Sequence, residues 1–147
     1  MRFLPFLAAG LLGFFGAAAV HADSAGEAAL FERNDPAFAT LSLSREGDVW
    51  RLAFRAAGLP NGAATAADCE IVAHGAQDAD DLITASVIPF EGELTSVTAD
   101  DIGTEPLIIK IQMGPEGAFI TDAGAAARLC GMGSDIDGFY SRIDTPA

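Results

Sequence analysis

The chain has 147 residues, half of them hydrophobic, and its 21 acidic side chains against eight basic ones give a formal net charge of −13. Such a charge repels phosphate backbones and argues against nucleic acid as a partner, while a basic protein is a partner that it would attract. Two cysteines and two histidines leave little material for a metal centre or a nucleophilic catalytic set.

Residues 1–22 are set apart. Arg2 is followed by an almost wholly apolar stretch from 4 to 20, and Val20-His21-Ala22 supplies tolerated residues at the usual cleavage positions. This is the pattern of a secretory signal peptide. The apolar stretch is close to the roughly 17-residue lower limit for a spanning helix, and Pro5 with three glycines favours a signal over an anchor. No cysteine follows Leu7-Ala8-Ala9-Gly10, as a lipoprotein would require. The expectation is therefore a signal peptide over 1–22 and a single exported β domain over 23–147, periplasmic or secreted, without a stable membrane anchor. The 125 residues that remain (147 less 22) suffice for one core.

In an exported chain an even cysteine count implies a disulfide. Cys69 and Cys130 allow one intramolecular pairing, which would tie the C-terminal region to the middle of the chain. No Cys-x-x-Cys spacing supports redox catalysis.

From Ser24 to Asp35 the sequence is mixed, with Ala28, Ala29, Leu30 and Phe31 as a small apolar anchor; it fits a first strand or a helical turn, ended by Pro36. Residues 37–44 alternate, with Leu41 and Leu43 on one face. Glu46-Gly47-Asp48 is a turn, after which Trp50, Leu52 and Phe54 recur at period two with Arg51 and Arg55 opposite. This is a β-hairpin with one buried face. Gly58-Leu59-Pro60-Asn61-Gly62 is a loop, and 63–67 suits a helical turn. The stretch 69–74 is a strand with Cys69, Ile71 and Ala73 on one face and Glu70, Val72 and His74 on the other.

An acidic loop over 75–81 leads to a strand over 82–88. Thr98-Ala99-Asp100-Asp101 supplies a cap and early acidic groups for one helical turn. In 107–113, Leu107, Ile109, Ile111 and Met113 share a face. Gly114-Pro115-Glu116-Gly117 is a tight turn, and the strand returns over 118–121. Asp122 is placed to cap a short helix over 123–129 with Gly131 as its stop. The last strand, 137–143, has Phe139 and Tyr140 on opposite faces; the N-terminal region or the first hairpin is its expected partner. The class is all-β and mainly antiparallel: a small single-domain barrel or sandwich of about seven strands with one or two helical turns and one disulfide. The sequence leaves barrel and sandwich open.

The chemistry-bearing residues give mostly negatives. His74 is the only histidine after residue 22, and no Gly-x-Ser-x-Gly elbow presents a serine. One histidine and two paired cysteines make a poor zinc site. Asp78-Ala79-Asp80-Asp81 begins like a calcium loop but has Leu82 and Ile83 where a ligand and a glycine belong, and Asp135-Ile136-Asp137-Gly138 lacks the first ligand. No metal and no cofactor is expected, nor is an enzyme. The leading expectation is a periplasmic binding module, an inhibitor of or adaptor for a basic protein such as a lysozyme or protease, with Asp78, Asp80 and Asp81, or Glu91 and Glu93, at the contact. The alternative is a small barrel carrying an apolar ligand lined by Trp50, Phe54, Ile109 and Ile111.

Overall fold

The computed structural model describes residues 28–57, 68–131 and 136–143. The signal segment, the loop and helical turn expected over 58–67, and Asp135 of the second calcium-like stretch lie outside the described residues. The strands in chain order are β1 (Ala29–Arg33), β2 (Ala39–Glu46), β3 (Val49–Ala56), β4 (Cys69–Gln77), β5 (Leu82–Val87), β6 (Phe90–Glu91), β7 (Ser96–Val97), β8 (Ile108–Met113), β9 (Gly117–Asp122) and β10 (Gly138–Ile143); α1 (Ala99–Ile102) follows β7.

Eight of these strands close into an antiparallel barrel in which each pairs with its neighbour along the chain, β5 passing to β8. The small β6–β7 hairpin stands outside the ring. β1 closes it by pairing with β2 on one side and β10 on the other, in the register Leu30↔Ile143, Phe31↔Arg142, Glu32↔Ser141. The architecture is thus a barrel rather than a sandwich. The additional strand is β1, a segment whose composition fits strand or helical turn alike.

Period-two patterning puts Phe31, Leu41, Leu43, Leu52, Phe54, Ile71, Ile83, Ile109, Ile111 and Tyr140 inside, each at most 1% exposed. An eight-stranded barrel has an interior just wide enough for side chains to fill. Phe54 meets Tyr140 edge to face at 6.4 Å, and the Tyr140 hydroxyl donates to the Ile136 carbonyl at 2.9 Å. Gly75 lets β4 and β5 come together, since a Cβ there would lie 2.6 Å from the Ala85 Cβ. Phe139 points outward, half-exposed, beside its cross-strand partner Phe119.

The barrel's two ends differ. One carries the short turns after β2, β4 and β8. The other carries the long connections: the β1–β2 crossing, the β6–β7–α1 segment and the stretch between β9 and β10. At this lidded end Cys69 bonds Cys130, with Cα atoms 4.7 Å apart and a sequence separation of 61. Arg33, buried at the foot of β1, donates to the carbonyls of Ala37 and Asp137 and lies over the Tyr140 ring. Arg128 donates to the Ile102 carbonyl at the C-terminal end of α1. The expected cap on α1 is present: Thr98 accepts from the Asp101 N–H, and the Asp101 carboxylate accepts from Thr98. The helix expected over 123–129 is instead a turn followed by a 3-10 helix (Ala126–Leu129). Asp122 there accepts from the Gly124 N–H, two residues on, which closes a local turn rather than capping an α-helix.

The outer face of β4 also departs from simple alternation. Glu70 and Val72 are buried, at 7% and 4% exposure. For Glu70 the lid explains it. One Glu70 carboxylate oxygen accepts from the N–H groups of Leu94 (2.9 Å) and Thr95 (3.5 Å), and the other accepts from Arg55 at 3.2 Å. Arg55 also binds Glu93 at 2.8 Å. Glycine at 92 leaves room for this arrangement, because a Cβ would fall 2.6 Å from the Thr95 backbone carbonyl as well as against the Glu70 carboxylate. Burial opposes ionisation of Glu70, but the donors from Leu94, Thr95 and Arg55 outweigh it and hold its pKa below the usual value.

Two predictions follow from this packing. Replacing Cys69 and Cys130 together by alanine removes the constraint on a 61-residue span and lowers the unfolding free energy by about 4 kcal/mol, read from urea denaturation. For Glu70 the folded pKa lies below the unfolded one, so its contribution is complete above the unfolded value and is lost as pH falls through the folded value. Glu70→Gln should cost about 1–3 kcal/mol at pH 7 and flatten the acid limb of the stability profile, measured by urea titrations from pH 7 to pH 2.5.

Candidate functional site

The tight-turn end holds a concavity near which chemistry-bearing side chains gather. A hollow of about 360 Å³ opens there, floored by Leu43, Trp50, Ile83 and Met113 and edged by Gln77, Asp81, Pro115 and Arg142. Strand periodicity puts these residues here. Trp50 has the parity of Leu52 and Phe54, Gln77 that of Ile71 and Ala73, and Arg142 that of Tyr140. Each is therefore an inward position one step beyond the sealed core, where the barrel opens to water.

One wall of the hollow is held by a chain of hydrogen bonds. The Trp50 indole Nε1–H donates to Gln77 Oε1 at 3.1 Å, and Gln77 Nε2 donates to Asp81 Oδ1 at 2.9 Å. The Asp81 carbonyl accepts from the Met113 N–H at 2.9 Å. Asp81 has φ +59°, a left-handed conformation that aspartate tolerates better than most residues. The wall thus joins β3, β4, the following turn and β8. Arg45 lies over the Trp50 ring at 5.3 Å, and Arg142 over Phe31 at 5.4 Å.

Acidic groups ring this end. The β2–β3 turn has Glu46 and Asp48, the β4–β5 turn Asp78, Asp80 and Asp81, and the β8–β9 turn Glu116, all exposed. Their roles are not equal. Asp78 Oδ1 accepts from the N–H groups of Asp80 and Leu82 and shapes its own turn. Glu46 lies 3.6 Å from Arg51 and 3.5 Å from His74. Asp48, Asp80 and Glu116 make no side-chain hydrogen bond or ion pair among the described residues.

The two acidic sets expected from sequence stand on opposite ends. Asp78, Asp80 and Asp81 belong to the tight-turn end. Glu91 and Glu93 belong to the lid, where Glu93 is engaged by Arg55. Strands of six residues at roughly 3.3 Å per residue separate the ends by about 20 Å, so one small contact cannot use both. Of the ligand-lining set, Trp50 lines the hollow, whereas Phe54, Ile109 and Ile111 are fully enclosed in the core. His74 is on the barrel's outer wall. Among the described residues no group of three His, Cys, Asp or Glu side chains is placed to hold a metal ion.

Sequence reasoning passed over Glu46, Asp48 and Glu116 as site residues, although each sits in a recognised turn. It also passed over Met113 and Arg142 as site residues, although both lie in strands it drew, and over Gln77, which it put in the loop over 75–81 whereas β4 runs on to Gln77. What it lacked was closure: only a ring brings the turns after β2, β4 and β8 around one opening. Comparison with protein-family models, curated proteins and solved structures finds no match for the chain.

Trp50 is the only tryptophan, so its emission reports on this wall directly. Gln77→Leu should cost about 1 kcal/mol and shift the indole emission, as measured by steady-state fluorescence and urea denaturation.

Proposed function

We propose that this protein is an exported, non-catalytic binding module that engages a basic protein, such as a lysozyme or protease, through the tight-turn end of its barrel. The observation that carries the reading is the ring of Glu46, Asp48, Asp78, Asp80, Asp81 and Glu116 around a preformed hollow. Clustered carboxylates raise the encounter rate of a cationic partner, and charge complementarity across an interface adds specificity. A disulfide-tied barrel without sheet edges suits an oxidising compartment outside the cytoplasm, either periplasmic or extracellular. Enclosure of Phe54, Ile109 and Ile111 in the core favours this reading over a carrier with an apolar ligand inside the barrel.

The test uses the 23–147 chain against a panel of basic hydrolases, including a lysozyme and a trypsin-type protease, by biolayer interferometry at 20 and 150 mM salt. Expected is saturable binding to a panel member that weakens with salt. The triple variant Asp48→Asn, Asp80→Asn, Glu116→Gln should bind that member about tenfold more weakly with a shallower salt slope. It spares Asp78 and Asp81, whose hydrogen bonds build the turn. Absence of binding across the panel, or unchanged affinity of the triple variant, would overturn the proposal.

A further inference from the structure

Resting on that reading, we infer that the hollow at the tight-turn end is an anchor socket: it takes one aromatic or long aliphatic side chain from a partner segment whose flanking residues are lysine or arginine. Four observations converge on this occupant. The first is size. About 360 Å³ lies at the small end of the range for ligand pockets, which runs from roughly 300 to 1,000 Å³, and leaves ample room for a single side chain.

The second is chemistry. The floor of Leu43, Trp50, Ile83 and Met113 is apolar, so it rewards burial of hydrocarbon or of an aromatic ring. Arg142 at the edge lies over the Phe31 ring and has no ion pair among the described residues, so its guanidinium N–H groups can donate to a backbone carbonyl of an inserted segment. The third is charge. The carboxylates of the three surrounding turns disfavour a free small anion at Arg142 and favour cationic residues on both sides of the inserted one.

The fourth is preorganisation. The Trp50–Gln77–Asp81 chain fixes the indole, and the Asp81 carbonyl is bonded to Met113. The wall is built before anything binds, and association does not bear the entropy of ordering it. A well-packed apolar pocket surrounded by polar groups is where binding energy concentrates in protein interfaces, aromatic anchors being the commonest occupants.

The test reads Trp50 emission in the 23–147 chain during titration with three amidated, N-acetylated pentapeptides: Lys-Lys-Phe-Lys-Lys, Lys-Lys-Gly-Lys-Lys and Glu-Glu-Phe-Glu-Glu. The first should shift the emission saturably and bind about tenfold or more tightly than the glycine peptide; the acidic peptide should not bind. Met113→Phe, which fills the hollow from its floor, should abolish the preference for phenylalanine over glycine while leaving salt-dependent binding of both basic peptides. Equal affinity of the two basic peptides, with no change in emission, overturns the socket and leaves the acidic-rim reading standing. Equal binding of the basic and acidic phenylalanine peptides overturns the cationic flanks and counts against the acidic rim itself. Circular dichroism of Met113→Phe separates a filled hollow from a damaged barrel. Should that variant unfold, the comparison of peptides on the unaltered chain still decides the matter.

Discussion

Pairing of β1 with β10 is the constraint on which the rest of the molecule depends. Without it the chain is an open meander with two edges, each presenting a row of unpaired N–H and C=O groups. With Phe31 opposite Arg142 and Leu30 opposite Ile143, the edges vanish and the inward faces converge on one axis. Closure also fixes the interior volume. The alternation of large residues with Ala39, Ala73, Ala85 and Gly75 then becomes a packing requirement, because eight strands leave room for side chains and little else. Tyr140 illustrates the coupling. It sits on the closing strand, packs on Phe54 across the core and bonds the Ile136 carbonyl at the lidded end.

A closed barrel has two openings, and this one treats them differently. At the lidded end, polar groups enclosed by the long connections are satisfied within the fold. Glu70 receives donors from the β6–β7 turn and Arg55, Arg33 bonds carbonyls from two connections, and Arg128 holds the end of α1. Cys69–Cys130 adds a covalent tie between the start of β4 and the end of the 3-10 helix. Buried polar groups with partners fix one arrangement, and losing a partner is costly. The lidded end is thus committed to stability. Among the described residues the tight-turn end has no such covering, and there the inward rows of the strands emerge as Trp50, Gln77, Met113 and Arg142.

Much of this architecture was legible in the sequence, and the parts that were not share a cause. The hairpin carrying Trp50, Leu52 and Phe54, the strand through Ile109 and Ile111, the Thr98 cap and the cysteine pairing all rest on local patterning or on a single combinatorial choice. β1 was ambiguous because Ala28-Ala29-Leu30-Phe31 has no alternation of its own and becomes a strand by pairing on both sides. Glu70 was assigned to an outer face, correctly by parity, yet it is buried because a hairpin twenty residues downstream folds over it. The acidic residues were legible as turns but not as a ring. Asp78 and Glu93 look equivalent in sequence, and the barrel sends them to opposite ends.

That separation bears on how the charge can act. A net charge of −13 spread evenly would do little beyond keeping the chain soluble. Here part of it is absorbed: Glu70 and Glu93 by Arg55, Glu46 by Arg51. Exposed pairs of this kind contribute little to stability, but they quench the local field where they form. The carboxylates left without such partners among the described residues at the tight-turn end, Asp48, Asp80 and Glu116, come from three different turns and stand around one hollow. Field from separate turns adds over the opening, and long-range attraction acts before any contact is made. Short-range apolar burial on Trp50 and Met113 acts only once a side chain has entered. The two effects are distinct in range and in salt dependence, so a partner drawn by charge and held by an apolar anchor would lose association rate as salt rises while retaining most of its residence time.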